Sequence, residues 1–334
     1  MDVGPSRPED DCLKPEFGIA SATKFSDPDC TAKGEPRAQV ALQRLDTLWI
    51  NTGTLCNITC RNCYIESSPT NDRLAYITAP EVAAFLVEAR DRGTREIGFT
   101  GGEPFLNPDF ETMLTQALEQ GFEALVLTNA MAPMQRPGVK LWLLALRQRF
   151  QGRLTLRVSL DHYSQALHDA ERGAGSFAKV VEGLDWLAVN AFRMAIAGRT
   201  CWGENEADGR TGYAALAAAR RWPIDAASAL DLILFPEMDA SADVPEITPS
   251  CWGILKVNPD TMMCASSRMV VKRKGAAGPA VLPCTLLPYD ERFEMGATLA
   301  QADRADGGVF DRGAVKLAHP HCSRFCVLGG GSCS

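Results

Sequence analysis

The amino-acid sequence predicts an α/β fold, a partial (β/α)6 TIM-like barrel followed by an irregular Cys-rich C-terminal module. Three observations carry this reading. Short apolar runs alternate with helix-period segments six times between Leu45 and Phe235. The regular pattern then breaks for the last ~100 residues. The twelve cysteines are clustered, with three between positions 56 and 63 and six after position 250.

Residues 1–44 are rich in Pro, Gly and charge and read as a partly disordered N-terminal extension. The core spans residues 45–236. Its first strand lies near Thr47–Asn51, and a helix follows from Pro80 to Arg92, with Thr78 and Glu81 as a capping box and Gly93 as its stop. The second strand is Glu96–Thr100. Asn107 and Pro108 open the next helix, and Gly121 closes it. Strands near Ala124–Thr128, Thr155–Leu160, Arg193–Ala197 and Leu230–Phe235 complete the set. The helices between them fall near Val139–Phe150, Ser176–Asn190 and Tyr213–Arg221. Six such units form an open barrel whose ligand site gathers at the C-terminal ends of the strands. Residues 237–334 read as a metal-dependent second module, and Val257–Cys264 within it as strand, turn, strand, with Asn258–Thr261 as a hairpin turn.

Composition narrows the function. Apolar residues make up 46% of the 334, enough for a full core. The net charge is −7 and Lys and Arg form no long runs, which argues against a nucleic-acid or anionic-membrane partner. No apolar run approaches the ~20 residues of a membrane span, and Met1–Asp11 lacks the apolar core of a signal peptide, so the expected location is cytoplasmic. Clustered cysteines in a reducing compartment indicate metal binding rather than disulfides.

The loop after the first strand reads Cys56-Asn-Ile-Thr-Cys60-Arg-Asn-Cys63-Tyr64. Three thiolates at this spacing can hold three irons of a 4Fe–4S cubane and leave the fourth iron open to a cofactor. The second strand ends in Thr100-Gly101-Gly102-Glu103-Pro104, where glycines let backbone carbonyls approach a cation and a carboxylate adds charge-assisted acceptance. Together these resemble the C-x-x-x-C-x-x-C and GGEP motifs of the radical S-adenosylmethionine (radical SAM) superfamily. The resemblance implies an enzyme that reductively cleaves S-adenosylmethionine (SAM) at a 4Fe–4S cluster. The resulting 5′-deoxyadenosyl radical abstracts hydrogen from a small-molecule or peptide substrate. The electron comes from a donor such as flavodoxin or ferredoxin.

Softer matches cover the rest of residues 45–235. Thr128-Asn129 resembles the family's TNG element, with Ala130 in place of Gly. Ser159 and Asp161 fall at its ribose-binding position, and His168-Asp169, Arg172-Gly173 and Ser176-Phe177 continue the pattern of the branch that includes the molybdenum-cofactor cyclase and peptide-modifying enzymes. Asn62 stands where the family usually has an adenine-contacting aromatic, so Tyr64 is the expected substitute. Ile196 and Gly198 match part of the strand-five adenine motif. Cys201, after the fifth strand, is a candidate catalytic hydrogen donor or substrate-bonding thiol, weighed against a buried small residue.

In the tail, Cys251, Cys264, Cys284, Cys322 and Cys326 resemble the SPASM and twitch extensions of that superfamily, which hold auxiliary clusters. The late pair is C-x-x-x-C here instead of C-x-x-C, and Cys333 is spare. One auxiliary 4Fe–4S cluster is expected. The alternative is a zinc site using Cys322, Cys326 and His319 or His321. About 45 residues precede the first strand, too few for a folded leader-binding domain, which tilts the expectation toward a small molecule or a peptide presented by another protein. The rival class is a non-catalytic iron–sulfur or zinc-binding electron-transfer module, which would need no GGEP element.

Overall fold

A computed structural model describes residues 23–236, 243–303, 310–311 and 313–329. An eight-stranded sheet forms the core of the chain. Outside it, β1 (Gln39–Val40) belongs to a separate small sheet. The main sheet begins with β2 (Thr47–Asn51), whose five residues are all buried, as a parallel strand covered on both faces requires. Then follow α1 (Ala79–Asp91), β3 (Glu96–Thr100), α2 (Phe110–Glu119), β4 (Glu123–Thr128), α3 (Ala132–Gln135), α4 (Pro137–Arg149) and β5 (Leu154–Ser159). Next come α5 (Gln165–Arg172), α6 (Ser176–Val189), β6 (Arg193–Arg199), α7 (Glu206–Arg220) and β7 (Leu232–Phe235). Strands β2 to β7 pair with their sequence neighbours in parallel, and register sets Asn51 beside Thr100, so the strand ends finish level at one mouth. This is the predicted open α/β barrel.

Local chemistry fixes the ends of these elements. The Glu81 carboxylate accepts from the Thr78 N–H at 2.9 Å and from its hydroxyl at 2.8 Å, which caps α1, and Glu81 also pairs with Lys272 at 2.7 Å. Asn107 does more than open α2: its side-chain amide donates to the carbonyls of Thr52 and Ile77, both at 2.9 Å, and so ties the loop after β2 to the start of α1.

The tail departs from the expected irregular module. After α8 (Pro249–Leu255), Pro259–Thr261 and Met263–Ala265 form two 3-10 turns where a hairpin was expected. Pro259 lacks the N–H a ladder needs, and the chain turns before β8 (Ser267–Val271). That strand joins the main sheet parallel to β2, and β9 (Ala280–Leu282) adds antiparallel to it. The helix α9 (Leu299–Ala302) follows, then β10 (Phe310–Asp311) and β11 (Ala314–Lys316), which pair with each other and with β1. The N-terminal segment is anchored there too. Buried Arg37 donates to Glu246 at 2.6 Å, to the Cys30 carbonyl at 2.7 Å and to the Leu317 carbonyl at 3.2 Å.

Candidate active site

The loop from Thr52 to Thr78 carries the three cysteines and interlocks with the turn after β3. Gly102 N–H donates to the Gly53 carbonyl at 2.7 Å, and Glu103 N–H to the Leu55 carbonyl at 3.1 Å. A methyl group on Gly102 would lie 2.1 Å from the Leu55 oxygen, and one on Gly101, whose φ is +140°, would lie 2.5 Å from the Gly53 oxygen. The glycine pair is thus demanded by close approach of the cysteine loop's own backbone. The sequence reading assigned the glycines to a bound cation; the close approach of the cysteine loop is a further demand on the same two positions.

Helix α5 grips the same loop from the other side. The Asn62 amide donates to both Glu171 carboxylate oxygens at 3.0 and 2.9 Å, and Arg61 N–H donates to the Glu171 carbonyl at 2.8 Å. Arg199 donates to the Asn62 carbonyl at 3.1 Å. Asn62, in place of an aromatic, is therefore a tether. Sequence reasoning missed Glu171 and Arg199; the only signal for them was their place beside Arg172 and at the end of the fifth strand.

Cys56, Cys60 and Cys63 open onto one cavity of about 170 Å³ at the C-terminal ends of the strands. Burial pushes the Cys56 thiol up to about 12 and raises Cys60 as well, so both stay protonated until a metal displaces the protons. Of the residues expected to bind the cofactor, Tyr64, Gly101, Gly102, Thr128, Asn129, Ser159 and Asp161 also border this cavity. Among the described residues no three His, Cys, Asp or Glu side chains gather on a single metal ion. The three thiols instead border a space that polar groups also line, a donor set that fits a multi-iron cluster with an adjoining organic ligand.

The structure alters four expectations. Glu103 lies behind the cavity wall, 1% exposed, with one oxygen accepting from the Asn129 N–H at 2.8 Å and the other from the Thr128 hydroxyl at 2.8 Å. Burial raises its carboxyl to about 7 against these donors, and its role is to position Thr128 and Asn129. Ile196 is fully buried and absent from the lining, because alternation along β6 turns it away while Ala197 faces the cavity. Asp161 faces the cavity, but Arg172 holds its carboxylate at 2.7 and 2.9 Å. Burial pushes that carboxyl up, and the guanidinium outweighs it and holds it below the ordinary range. Cys201 is half-buried beyond β6 and does not border the cavity.

Ala130 adopts φ +52°, which explains why a glycine is usual at this place in the TNG element. His168 is fully buried with neither ring nitrogen hydrogen-bonded.

In the tail, Cys264, Cys284, Cys322 and Cys326 line one small, otherwise mostly apolar cavity. Residues Cys322–Leu328 form a π-helical turn, and helical spacing of four puts Cys322 and Cys326 on one face, which accounts for the C-x-x-x-C spacing. Cys251 stands apart on α8, its sulfur accepting from the Thr248 N–H at 3.4 Å, and is not part of this lining. His321 borders the cavity; His319 packs against Phe293 and His321. Leu286 borders both cavities, and Phe325 and Thr285 reach the first, so the tail closes the barrel mouth.

Residues 50–199 match the profile of the radical SAM superfamily. This segment is a radical SAM domain. The subtilosin biosynthesis protein AlbA of Bacillus subtilis, which acts in the making of an antilisterial bacteriocin, is 27% identical over 143 residues, covering 42% of this chain and 30% of AlbA. The GTP 3′,8-cyclase of Vibrio atlanticus is 29% identical over 143 residues, 41% of this chain and 40% of the cyclase. The radical SAM match thus spans less than half the length of these curated relatives. Among solved structures, SuiB of Streptococcus suis bound to S-adenosylmethionine superimposes with a TM-score of 0.56 at 12% identity, covering 76% of this chain and 64% of SuiB. The enzyme anSMEcpe with bound AdoMet gives 0.56 at 14%, covering 78% and 81%. These likenesses establish the fold. No helix among the described residues is long and apolar enough to cross a membrane.

Proposed function

We propose that the chain cleaves S-adenosylmethionine reductively at a 4Fe–4S cluster held by Cys56, Cys60 and Cys63, and abstracts hydrogen from a peptide. The single observation that carries this is the shared cavity. Three cysteine thiols and the ends of strands β3 to β6 border one space, inside a segment that matches the radical SAM superfamily. Cys56, Cys60 and Cys63 would hold the cluster, which would supply one electron for breaking the C–S bond of S-adenosylmethionine into methionine and a 5′-deoxyadenosyl radical. The chain's residues hold and orient. Gly101 and Gly102 bring the cysteine loop against the sheet, Glu103 fixes Thr128 and Asn129, the Asp161–Arg172 pair braces the wall near Cys60, and Thr285, Leu286 and Phe325 add the tail's part of the lining. A flavodoxin or ferredoxin would supply the electron.

Cys264, Cys284, Cys322 and Cys326 are our ligands for one auxiliary 4Fe–4S cluster, with Cys251 left out because it does not line that cavity. Of the two substrate classes expected, small molecule or peptide, we favour a peptide, since the structural neighbours include SuiB bound to precursor peptide SuiA and anSMEcpe with a bound Cp18Cys peptide. The test is anaerobic reconstitution followed by reduction with dithionite in the presence of S-adenosylmethionine. About eight irons per chain, as two clusters of four, and release of 5′-deoxyadenosine are expected. An iron-loaded chain that releases none would refute the proposal.

A further inference from the structure

Arg268, on β8, is 1% exposed. Buried Arg37 meets a carboxylate, Glu246 at 2.6 Å, and Arg172, on the wall of the first cavity, meets Asp161 at 2.7 Å. Arg268 makes no such pair among the described residues. Its guanidinium donates to backbone carbonyls only, those of Cys264 at 2.7 Å, Ser267 at 2.8 Å and Gly313 at 2.6 Å, and its Nε–H has no acceptor. The carboxylate of Asp303 also acts on it but is itself held by Arg92 at 3.0 Å. Among the described residues, the other groups whose charge acts on it are the sulfurs of Cys264 and Cys284.

A guanidinium does not shed its proton inside a protein, and a buried charge without a counter-ion is strongly unfavourable. Carbonyl dipoles offset part of that cost, and an anion next to the group would offset the rest. Two of the four cysteines around the tail cavity are where that anion would form. We infer that Arg268 is the fixed counter-charge of the auxiliary cluster and sets its reduction potential, an inference that rests on the auxiliary-cluster reading above. A 4Fe–4S core bound by four thiolates is anionic, and one electron from an external low-potential donor adds a further negative charge. Net charge and hydrogen bonding are the levers that set such potentials. A fixed cation therefore favours the reduced form more than the oxidised form. It also explains why the second residue of β8 is an arginine where an apolar side chain would pack.

The experiment uses the full-length, iron-loaded chain and follows the reduced clusters by electron paramagnetic resonance during a potential titration. Added S-adenosylmethionine alters the signal of the core cluster and leaves the auxiliary one unchanged, which sorts the two. Arg268→Gln should make the auxiliary cluster at least tenfold harder to reduce, a shift of about 59 mV to more negative potential for one electron. Arg268→Lys, which keeps the charge, should shift it by less than half as much. An unchanged potential in the Gln variant, or an equal shift in both variants, overturns the inference. Only about four irons per chain, with every signal responding to S-adenosylmethionine, would instead overturn the auxiliary-cluster reading beneath it. If the Gln variant does not fold, the unaltered protein with 15N-labelled arginine decides. One guanidinium Nε–H resonance should be displaced when the auxiliary cluster is reduced, and displacement of none overturns the inference.

Discussion

Gly102→Ala tests the interlock between the cysteine loop and the β3 turn. The new methyl would sit 2.1 Å from the Leu55 oxygen, 2.6 Å from its carbonyl carbon and 2.7 Å from the Thr54 oxygen. All three are backbone atoms, so no side chain can swing aside. Restoring ordinary contact moves the loop by more than ~1 Å. That breaks the Gly102-to-Gly53 and Glu103-to-Leu55 hydrogen bonds. Overpacking costs about 1–3 kcal/mol and each lost bond about 0.5–1.5, a total of roughly 2–6 kcal/mol. Cys56 follows Leu55 directly, so the displaced loop should also fail to present its thiol. The assay is iron per chain after anaerobic reconstitution, with the urea midpoint, beside a Gly138→Ala control whose added methyl meets nothing within 4 Å. Wild-type iron content and midpoint in Gly102→Ala would refute the reasoning.

Asp161→Asn should cost about 3–5 kcal/mol in denaturant titration, because it leaves buried Arg172 without its carboxylate; a cost under ~1 kcal/mol would mean the pair is solvated. Burial, with the nearby Arg172 charge, lowers the His168 imidazole to about 4. The unfolded chain therefore binds its proton first, and the stability this side chain contributes, complete above about 6.5, is lost as pH falls toward 4, an effect of roughly 3 kcal/mol. His168→Phe should flatten the stability profile across that window, and an unaltered slope would show that the ring titrates normally. Cys201→Ser should keep 5′-deoxyadenosine formation and substrate turnover within about twofold, as it lies off the cavity lining; loss of turnover with cleavage intact would restore it as a radical partner.

The six βα units were legible because each strand is a short apolar run bounded by turn residues, and Gly93 and Gly121 end their helices with positive φ. The cysteine triad was legible because its spacing is local. What sequence pattern could not give was partnership across distance. Ser267–Val271 opens with two polar residues, and nothing local states that it pairs with Thr47–Ile50, more than two hundred residues earlier. Gly101 and Gly102 announced a close approach, but not that Gly53 and Leu55 are what approaches. Glu103 and Asp161 read as carboxylates free for a ligand; folding commits the first to Thr128 and Asn129 and the second to Arg172. Arg268 carried no signal in the sequence, and only its burial against the Cys264 carbonyl gives it meaning.

The central claim is that the thiols of Cys56, Cys60 and Cys63 hold the cluster at which S-adenosylmethionine is split. It is tested most directly by measuring 5′-deoxyadenosine released by reduced, anaerobic wild-type protein beside the variant with all three cysteines changed to Ala. Release by the wild type and none by the variant, with the variant's remaining iron near four per chain, is the predicted result. Equal release by both proteins would contradict it.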